Sequence, residues 1–409
     1  MFGFGGEVKF SIMVELNNTE HLLLLSSKIQ PNAKDHERII RLIEKNQIDW
    51  KCFLSRAQDT LLAPVVFRFF SSINEVEEIV PKEVITALRN FYNVVLHNNL
   101  RLVGGFDFVL NEMEKNNIKV VALKGMDVLH NLYNDFGVRQ TSDIDLLFSN
   151  SDVSKARDLF LGMNFSCQYY MPNRALDITN HPSPYKFFNQ EVSIDFHKGL
   201  DKVYESAKVP IDEVLDRAYR QGLDPSGRFY SLDPNDNLIY LNLHLSEHFH
   251  SYDCNLLSFL DLVEMINREL IEWETVIQRS ESWNSFQTMS EMLFLVHHFF
   301  EVEVPEEILN EVEEEKRKNL KTSFVVLLKE SREELRAKHA YQGSTGFKSI
   351  AHLSLVGKLK YLFFRTFPDK LYLKSKYKQK EDSHLILWLI HIFSIVGIAI
   401  KTLFRKIVN

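Results

Sequence analysis

Residues 141–148, Thr-Ser-Asp-Ile-Asp-Leu-Leu-Phe, limit the fold more tightly than any other stretch of this chain. In a strand, successive side chains alternate between faces. Asp143 and Asp145 therefore point one way, and Ile144, Leu146 and Phe148 point the other. The apolar row demands a core beneath it. The two carboxylates repel each other unless a cation lies between them. Hard divalent cations with oxygen ligands, Mg²⁺ above all, suit such a pair, and a metal held this way commonly serves a phosphate. Taken alone the pair is a weak signal, because capping and turn chemistry also produce Asp-x-Asp.

The flanking sequence indicates what kind of sheet carries the pair. Residues 118–123 are short, β-branched and apolar, which predicts a buried strand. Lys124-Gly125 follows it and opens a helix to about Tyr133. A polar connection containing Gly137 and Arg139 leads to the aspartate strand, and a helix follows over 153–162. Further strands are expected over 165–170, 185–189 and 191–197, the last two as a hairpin turning at Asn189-Gln190. This order implies a small mixed sheet with helices on one side. Helical spacing dominates both flanks. It covers 36–45, 50–71 and a run from Pro81 to Asn116 before the sheet, then 211–221, 234–250, 256–272, 283–300 and 305–323 after it. The acidic run 311–315 reads as a solvated helix face. The fold class is α+β, a small sheet between N-terminal and C-terminal helical regions.

Two further pieces complete a chemical constellation. In Val192-Ser193-Ile194-Asp195-Phe196-His197 the apolar residues share one face and Asp195 and His197 the other. A third carboxylate on a neighbouring strand completes a site for two divalent ions, which clamp the attacking and leaving oxygens of an in-line phosphoryl displacement. Lys124-Gly125 supplies an anion side: glycine permits close backbone approach, a helix start favours phosphate, and lysine adds a point charge. His197 is placed either to orient Asp195 or to bond nearby backbone. His244 and His248 lie at i, i+4, a spacing that binds zinc, but no glutamate follows His244 directly, so the metalloprotease motif is absent. A packing role is the expectation for both.

The order strand, Lys-Gly, helix, Arg-x-x-x-Asp-x-Asp-Leu-Leu, helix, strands and Asp-x-His resembles the bacterial "nucleotidyltransferase family protein" group of the DNA-polymerase-β-like superfamily. Leu123-Lys124-Gly125, Arg139, Ser142 to Leu147 and Ile194 to His197 carry the resemblance, with His244, His248 and Leu260-Asp261-Leu262 further on. It spans roughly residues 50 to 266. The Lys-Gly loop and its longer spacing depart from the Gly-Ser or Gly-Gly loop of the wider superfamily and follow this subgroup. The resemblance implies a catalytic core over 117–200, between helical regions 1–116 and 201–350. It also implies transfer of a nucleoside monophosphate from a nucleoside triphosphate, with ATP the expected donor. Asp143, Asp145 and Asp195 would hold Mg²⁺ or Mn²⁺ and carry catalysis. Lys124, Gly125, Arg139 and Ser142 would bind the phosphates. The acceptor stays open among small molecules, glycan or lipid intermediates and proteins. A metal-dependent glycosyltransferase also uses Asp-x-Asp, but it would place several strands before the pair, where only one is expected here. A non-catalytic nucleotide-binding subunit is the third reading, and the presence of all three carboxylates counts against it.

Composition bounds the setting. Hydrophobic residues make up 45% of 409, enough for a real core, and 31 phenylalanines fall largely in helical stretches. Three cysteines without C-x-x-C spacing argue against disulfides or a cysteine zinc site and fit a reducing compartment. The first residues show no basic region before an apolar block, so no signal peptide is expected. The net charge is −7, yet residues 351–409 hold 11 Lys/Arg against 3 Asp/Glu, leaving −15 on the rest. That distribution is not the footprint of a general nucleic-acid binder. Residues 385–400 are apolar apart from His391 and Ser394 and, as a helix, reach about 24 Å, short of a ~30 Å hydrocarbon core. A helix lying on a membrane surface through residues 383–409 is the leading reading, ahead of a buried or partner-binding helix and of a true span. The expected location is cytoplasmic, peripheral on the inner face of a membrane.

Overall fold

Five strands, β1 (Val121–Leu123), β2 (Ile144–Leu147), β3 (Ser166–Tyr169), β4 (Tyr185–Phe188) and β5 (Ser193–His197), form one mixed sheet in the order β1-β2-β5-β4-β3. Only β2 and β5 run parallel; the other neighbours are antiparallel. The computed structural model describes residues 16–29, 31, 33–45, 47–133, 135–169, 183–200, 208–219, 229–268, 270–339, 354–377 and 383–394. The α+β reading holds: a small mixed sheet lies between helical flanks.

Alternation along the strands builds the core. Ile144, Leu146, Ile194, Phe196 and Phe187 enter one buried apolar cluster with Phe106 and Val109 of the helix Lys82–Lys115 and Phe160 of the helix Asp152–Gly162. The Phe196 ring centre lies 4.6 Å from Phe148, 4.7 Å from Phe187 and 5.1 Å from Phe160. Close helix–strand approach is set at Gly105, where a Cβ would lie 2.3 Å from Val192 Cγ1. The opposite face is not bare, since Val121, Leu123 and Leu147 are fully buried there. The expected β4–β5 hairpin forms. Asn189 Oδ1 accepts from the amides of Glu191 and Val192, both at 2.8 Å, and this side-chain turn fixes the register.

The chain divides into two compact units, each assembled from separate stretches. One comprises residues 1–93, 244–268 and 287–340; the other comprises 94–243, 269–286 and 341–409 and contains the sheet. Aromatic packing explains the phenylalanine content of the first, where Phe324 stacks on Phe299 at 4.0 Å and meets Phe259 edge-on at 5.1 Å. Its helix Asn18–Leu25, not foreseen in the sequence, starts from a reciprocal cap between Asn17 and Glu20.

Two helices expected as continuous are broken. The 50–71 segment divides into Trp50–Asp59 and Ala63–Phe70 because Leu61 takes a left-handed turn (φ 63°) and Pro64 occupies the next helix's first turn. The 305–323 segment divides into Glu306–Asn310 and Glu314–Lys329, with extended Glu313 as the cap. The acids of the 311–315 run are solvent-facing as expected, but residues 311–313 lie between the two helices and form no helix face; Glu314 and Glu315 sit in a first turn, where the helix dipole favours them. The reading of residues 1–15, and of 395–409 within the expected surface helix, lies outside the described residues.

Candidate active site

Strand pairing assembles the site. Parallel pairing sets Asp145 of β2 directly beside Asp195 of β5, and antiparallel pairing sets Lys186 of β4 on the other side of Asp195. Directly paired residues share a face, so Asp145, Asp195 and Lys186 form a row across three strands, with Asp143 two positions before Asp145. Leu123, the last residue of β1, pairs with Asp145, which brings the following Lys124 to the same place.

Contacts within the row are close. Lys186 Nζ lies 3.2 Å from Asp143 Oδ2 and 3.1 Å from Asp195 Oδ2. Lys124 Nζ lies 3.1 Å from Asp145 Oδ1. His197 Nε2 is 2.7 Å from the same oxygen and donates to it, since an ionised carboxylate only accepts. His197 therefore holds Asp145 rather than Asp195. Ser142 Oγ donates to Asp143 Oδ1 at 3.0 Å.

Burial and charge act against each other here. Burial alone would raise the Asp145 pKa, but the Lys124 ammonium and the His197 hydrogen bond prevail and hold it well below the ordinary carboxylate range. Burial alone would favour neutral Lys124, yet Asp145, with help from Tyr240 and Asp143, holds its pKa above the usual value. Asp195 moves the other way: burial first, then the Asp145 charge, raises its pKa despite Lys186. Asp195 is thus the more basic carboxyl of the pair. Lys186 is raised, because Asp195 and Asp143 outweigh its desolvation.

The donor set suits a divalent cation. Oxygens from Asp143 and Asp195 converge on a single ammonium, which stands where a cation bridging them would sit. All three donors are carboxylates, the hard ligands that Mg²⁺ and Mn²⁺ prefer. On the anion side, Lys124 itself adopts a left-handed conformation (φ 46°) at the start of the helix Lys124–Asn131. A Cβ on Gly125 would lie 2.0 Å from Thr141 Oγ1 and 3.4 Å from Arg139 Nη1. Glycine is needed there so that the helix start can lie against the loop carrying the aspartates. Arg139 is buried and donates from Nη1 to the Gln140 carbonyl at 3.1 Å.

Three supporting residues escaped the sequence reading. Asn99 donates to the carbonyls of Phe136 (2.6 Å) and Arg139 (2.7 Å) and accepts from the Thr141 amide at 3.3 Å, fastening the aspartate loop. Tyr240 is buried close enough to Lys124 to perturb it. Lys186 was within reach: a hairpin turning at Asn189-Gln190 with Phe188 opposite Ser193 places Lys186 opposite Asp195.

His244, Glu247 and His248 gather in the other unit, with one ligand atom from each within 4.8 Å of the others. Two imidazoles and a carboxylate suit a zinc-like ion rather than Mg²⁺. All three residues have further interactions within the fold.

The glycosyltransferase reading required several strands ahead of the aspartate pair. Among the described residues one strand, antiparallel β1, precedes it. The model of the family described as uncharacterised nucleotidyltransferase matches residues 46–301, which include the whole sheet and all three carboxylates. No curated protein and no solved structure matches the chain. With well over half its length matched, the chain belongs to this uncharacterised nucleotidyltransferase family.

Proposed function

We propose that the chain moves a nucleoside monophosphate from a nucleoside triphosphate, ATP foremost, to an acceptor hydroxyl and releases pyrophosphate. The carrying observation is the adjacency of Asp145 and Asp195 on parallel strands, with Asp143 and Asp195 converging on one cationic position. Asp143, Asp145 and Asp195 would hold Mg²⁺ or Mn²⁺, which would supply neutralisation of the triphosphate charge and activation of the acceptor oxygen.

The chain's own groups do the rest. Lys124 and the first amides of the helix Lys124–Asn131 receive phosphate oxygens. Arg139 and Ser142 complete the anion side next to the aspartate loop. Asp195, paired directly beside Asp145, takes the acceptor's proton. The acceptor oxygen forms a bond to the α-phosphorus as the bond to the bridging oxygen breaks, and that oxygen leaves on pyrophosphate. Lys186, whose ammonium lies beside Asp143 and Asp195, is a point charge for the departing pyrophosphate.

The test is incubation of the full chain with each α-labelled nucleoside triphosphate, Mg²⁺ or Mn²⁺ and cell extract, following pyrophosphate and transferred label. Separation of the label into small molecules, glycan or lipid intermediates and protein identifies the acceptor class. Asp143→Asn with Asp145→Asn is expected to abolish both signals. Undiminished turnover by that variant overturns the assignment.

A further inference from the structure

Among the described residues, eleven of the seventeen large apolar side chains left exposed lie between Leu355 and Phe393. Scattered exposed leucines mean little, but a concentration of this kind marks an interaction surface. It is carried by two rows at i, i+4, i+8: Leu355, Leu359 and Phe363 on the helix Leu355–Thr366, and Leu385, Leu389 and Phe393 within the helical residues 384–394. Leu355 is 74% exposed and Phe393 is 75% exposed, so neither is merely at the rim of a contact.

These helices are firmly built into their unit. Tyr361 and Leu387 are buried in the cluster that includes Phe196 and Phe187. The helix Lys370–Tyr377, between them in sequence, adds Leu373 to that cluster, and its Ser375 Oγ donates to the Cys167 carbonyl of β3 at 2.8 Å. Trp388 stacks on Phe367 with ring centres 5.4 Å apart and donates to the Thr366 carbonyl at 3.0 Å. His391 Nε2 meets the Arg365 carbonyl at 2.8 Å. One face of the pair is thus fixed by packing and hydrogen bonds, and the other presents leucine and phenylalanine outward.

Charge selects the occupant. The surplus of lysine and arginine in residues 351–409 sets this end apart from an otherwise acidic chain. Lys358 and Lys360 lie among the exposed apolar residues of the first row. We infer that this face docks on an anionic lipid surface, with the apolar rows entering the interfacial layer and the lysines meeting phosphate headgroups. A bilayer accepts two rows of leucine and phenylalanine without a shaped counterpart. The acidic remainder is repelled, which turns this end toward the lipid. No helix among the described residues is long and apolar enough to cross a membrane. The inference does not depend on the nucleotidyl chemistry.

Co-sedimentation of the full chain with vesicles tests it. Binding is expected to phosphatidylcholine vesicles containing phosphatidylglycerol and not to phosphatidylcholine alone, and it weakens as salt rises. Leu359→Asp with Phe393→Asp, both on exposed positions, lowers the bound fraction about tenfold or more while leaving the circular dichroism unchanged. Asp143→Asn with Asp145→Asn binds like the parent, which separates this outcome from any failure of the catalytic reading. Absence of binding to the anionic vesicles, or binding indifferent to the paired aspartate substitutions at 359 and 393, overturns the inference. So does self-association that those substitutions abolish without any vesicle binding, because a second copy is then the occupant.

Discussion

Lys186 bridges Asp143, just before β2, and Asp195 of β5 with one ammonium, while Lys124 pairs with Asp145, which His197 also hydrogen-bonds. Without such partners, three buried or half-buried carboxylates on one sheet face would repel each other strongly. A divalent ion bound as proposed would compete with the lysine for the same oxygens. Lys186→Met is expected to lower the unfolding midpoint in EDTA by a few degrees and to enlarge the rise on adding Mg²⁺. An unchanged Mg²⁺ response, read by thermal denaturation, would show that the ammonium and the ion do not share a position. The aspartates of this site were readable in the sequence because a period of two needs no knowledge of neighbouring strands. Asn99 was not: its partners lie 37 to 42 residues away, and an asparagine inside an amphipathic helix gives no local sign of them.

At the scale of the element, the helix Pro234–His250 shows how a segment is anchored near a site. Asp236 is fully buried at its first turn and accepts from Arg217 Nε at 2.9 Å and Arg279 Nη1 at 2.8 Å; Arg279 also reaches Asp233 at 2.6 Å. Burial raises the Asp236 pKa even so. Removing one cation leaves this carboxylate under-compensated, so Arg279→Ala is expected to cost about 3 kcal/mol in chemical denaturation. A loss below ~1 kcal/mol would mean that Arg217 alone suffices. The existence of this helix was legible from its apolar spacing. The breaks in the 50–71 and 305–323 segments were not, because a left-handed leucine or an extended glutamate is imposed by packing rather than by propensity.

For the whole molecule, buried acids link stability to pH. Burial pushes Glu264 up to about 7, opposed by Arg268 and the Ile29 backbone and reinforced by Asp261. In the sheet unit, burial pushes Asp127 up to about 6 despite hydrogen bonds from Ser231, Asn237 and Asn131. A carboxyl whose pKa is higher folded than unfolded holds its proton longer in the native state. Its contribution is fully present below the unfolded value and is lost as pH rises through the folded value. Stability is therefore expected to fall between roughly pH 4 and pH 7 as these groups ionise. Glu264→Gln should flatten the upper part of that fall, worth about 3 kcal/mol if the whole shift is expressed. A melting profile from pH 5 to 8 that is the same in both proteins would refute the linkage.

The alternation in Thr141 to Phe148, the Lys-Gly turn and the Asp-x-His strand were enough to establish a small sheet with three acids on its polar face. Those signals are local: they depend on a two-residue period and on what glycine and lysine do at a helix start. Strand order was not local. Placing β5 beside β2 brought Asp195 to Asp145, placing β4 beside β5 brought Lys186 to Asp195 and Asp143, and packing gave His197 to Asp145. The same holds for residues 355–394, whose apolar and basic content was evident while the face left outward was not. Which groups neutralise a charge, and which apolar rows stay uncovered, depend on residues distant in the chain, and periodicity along one segment carries no record of them.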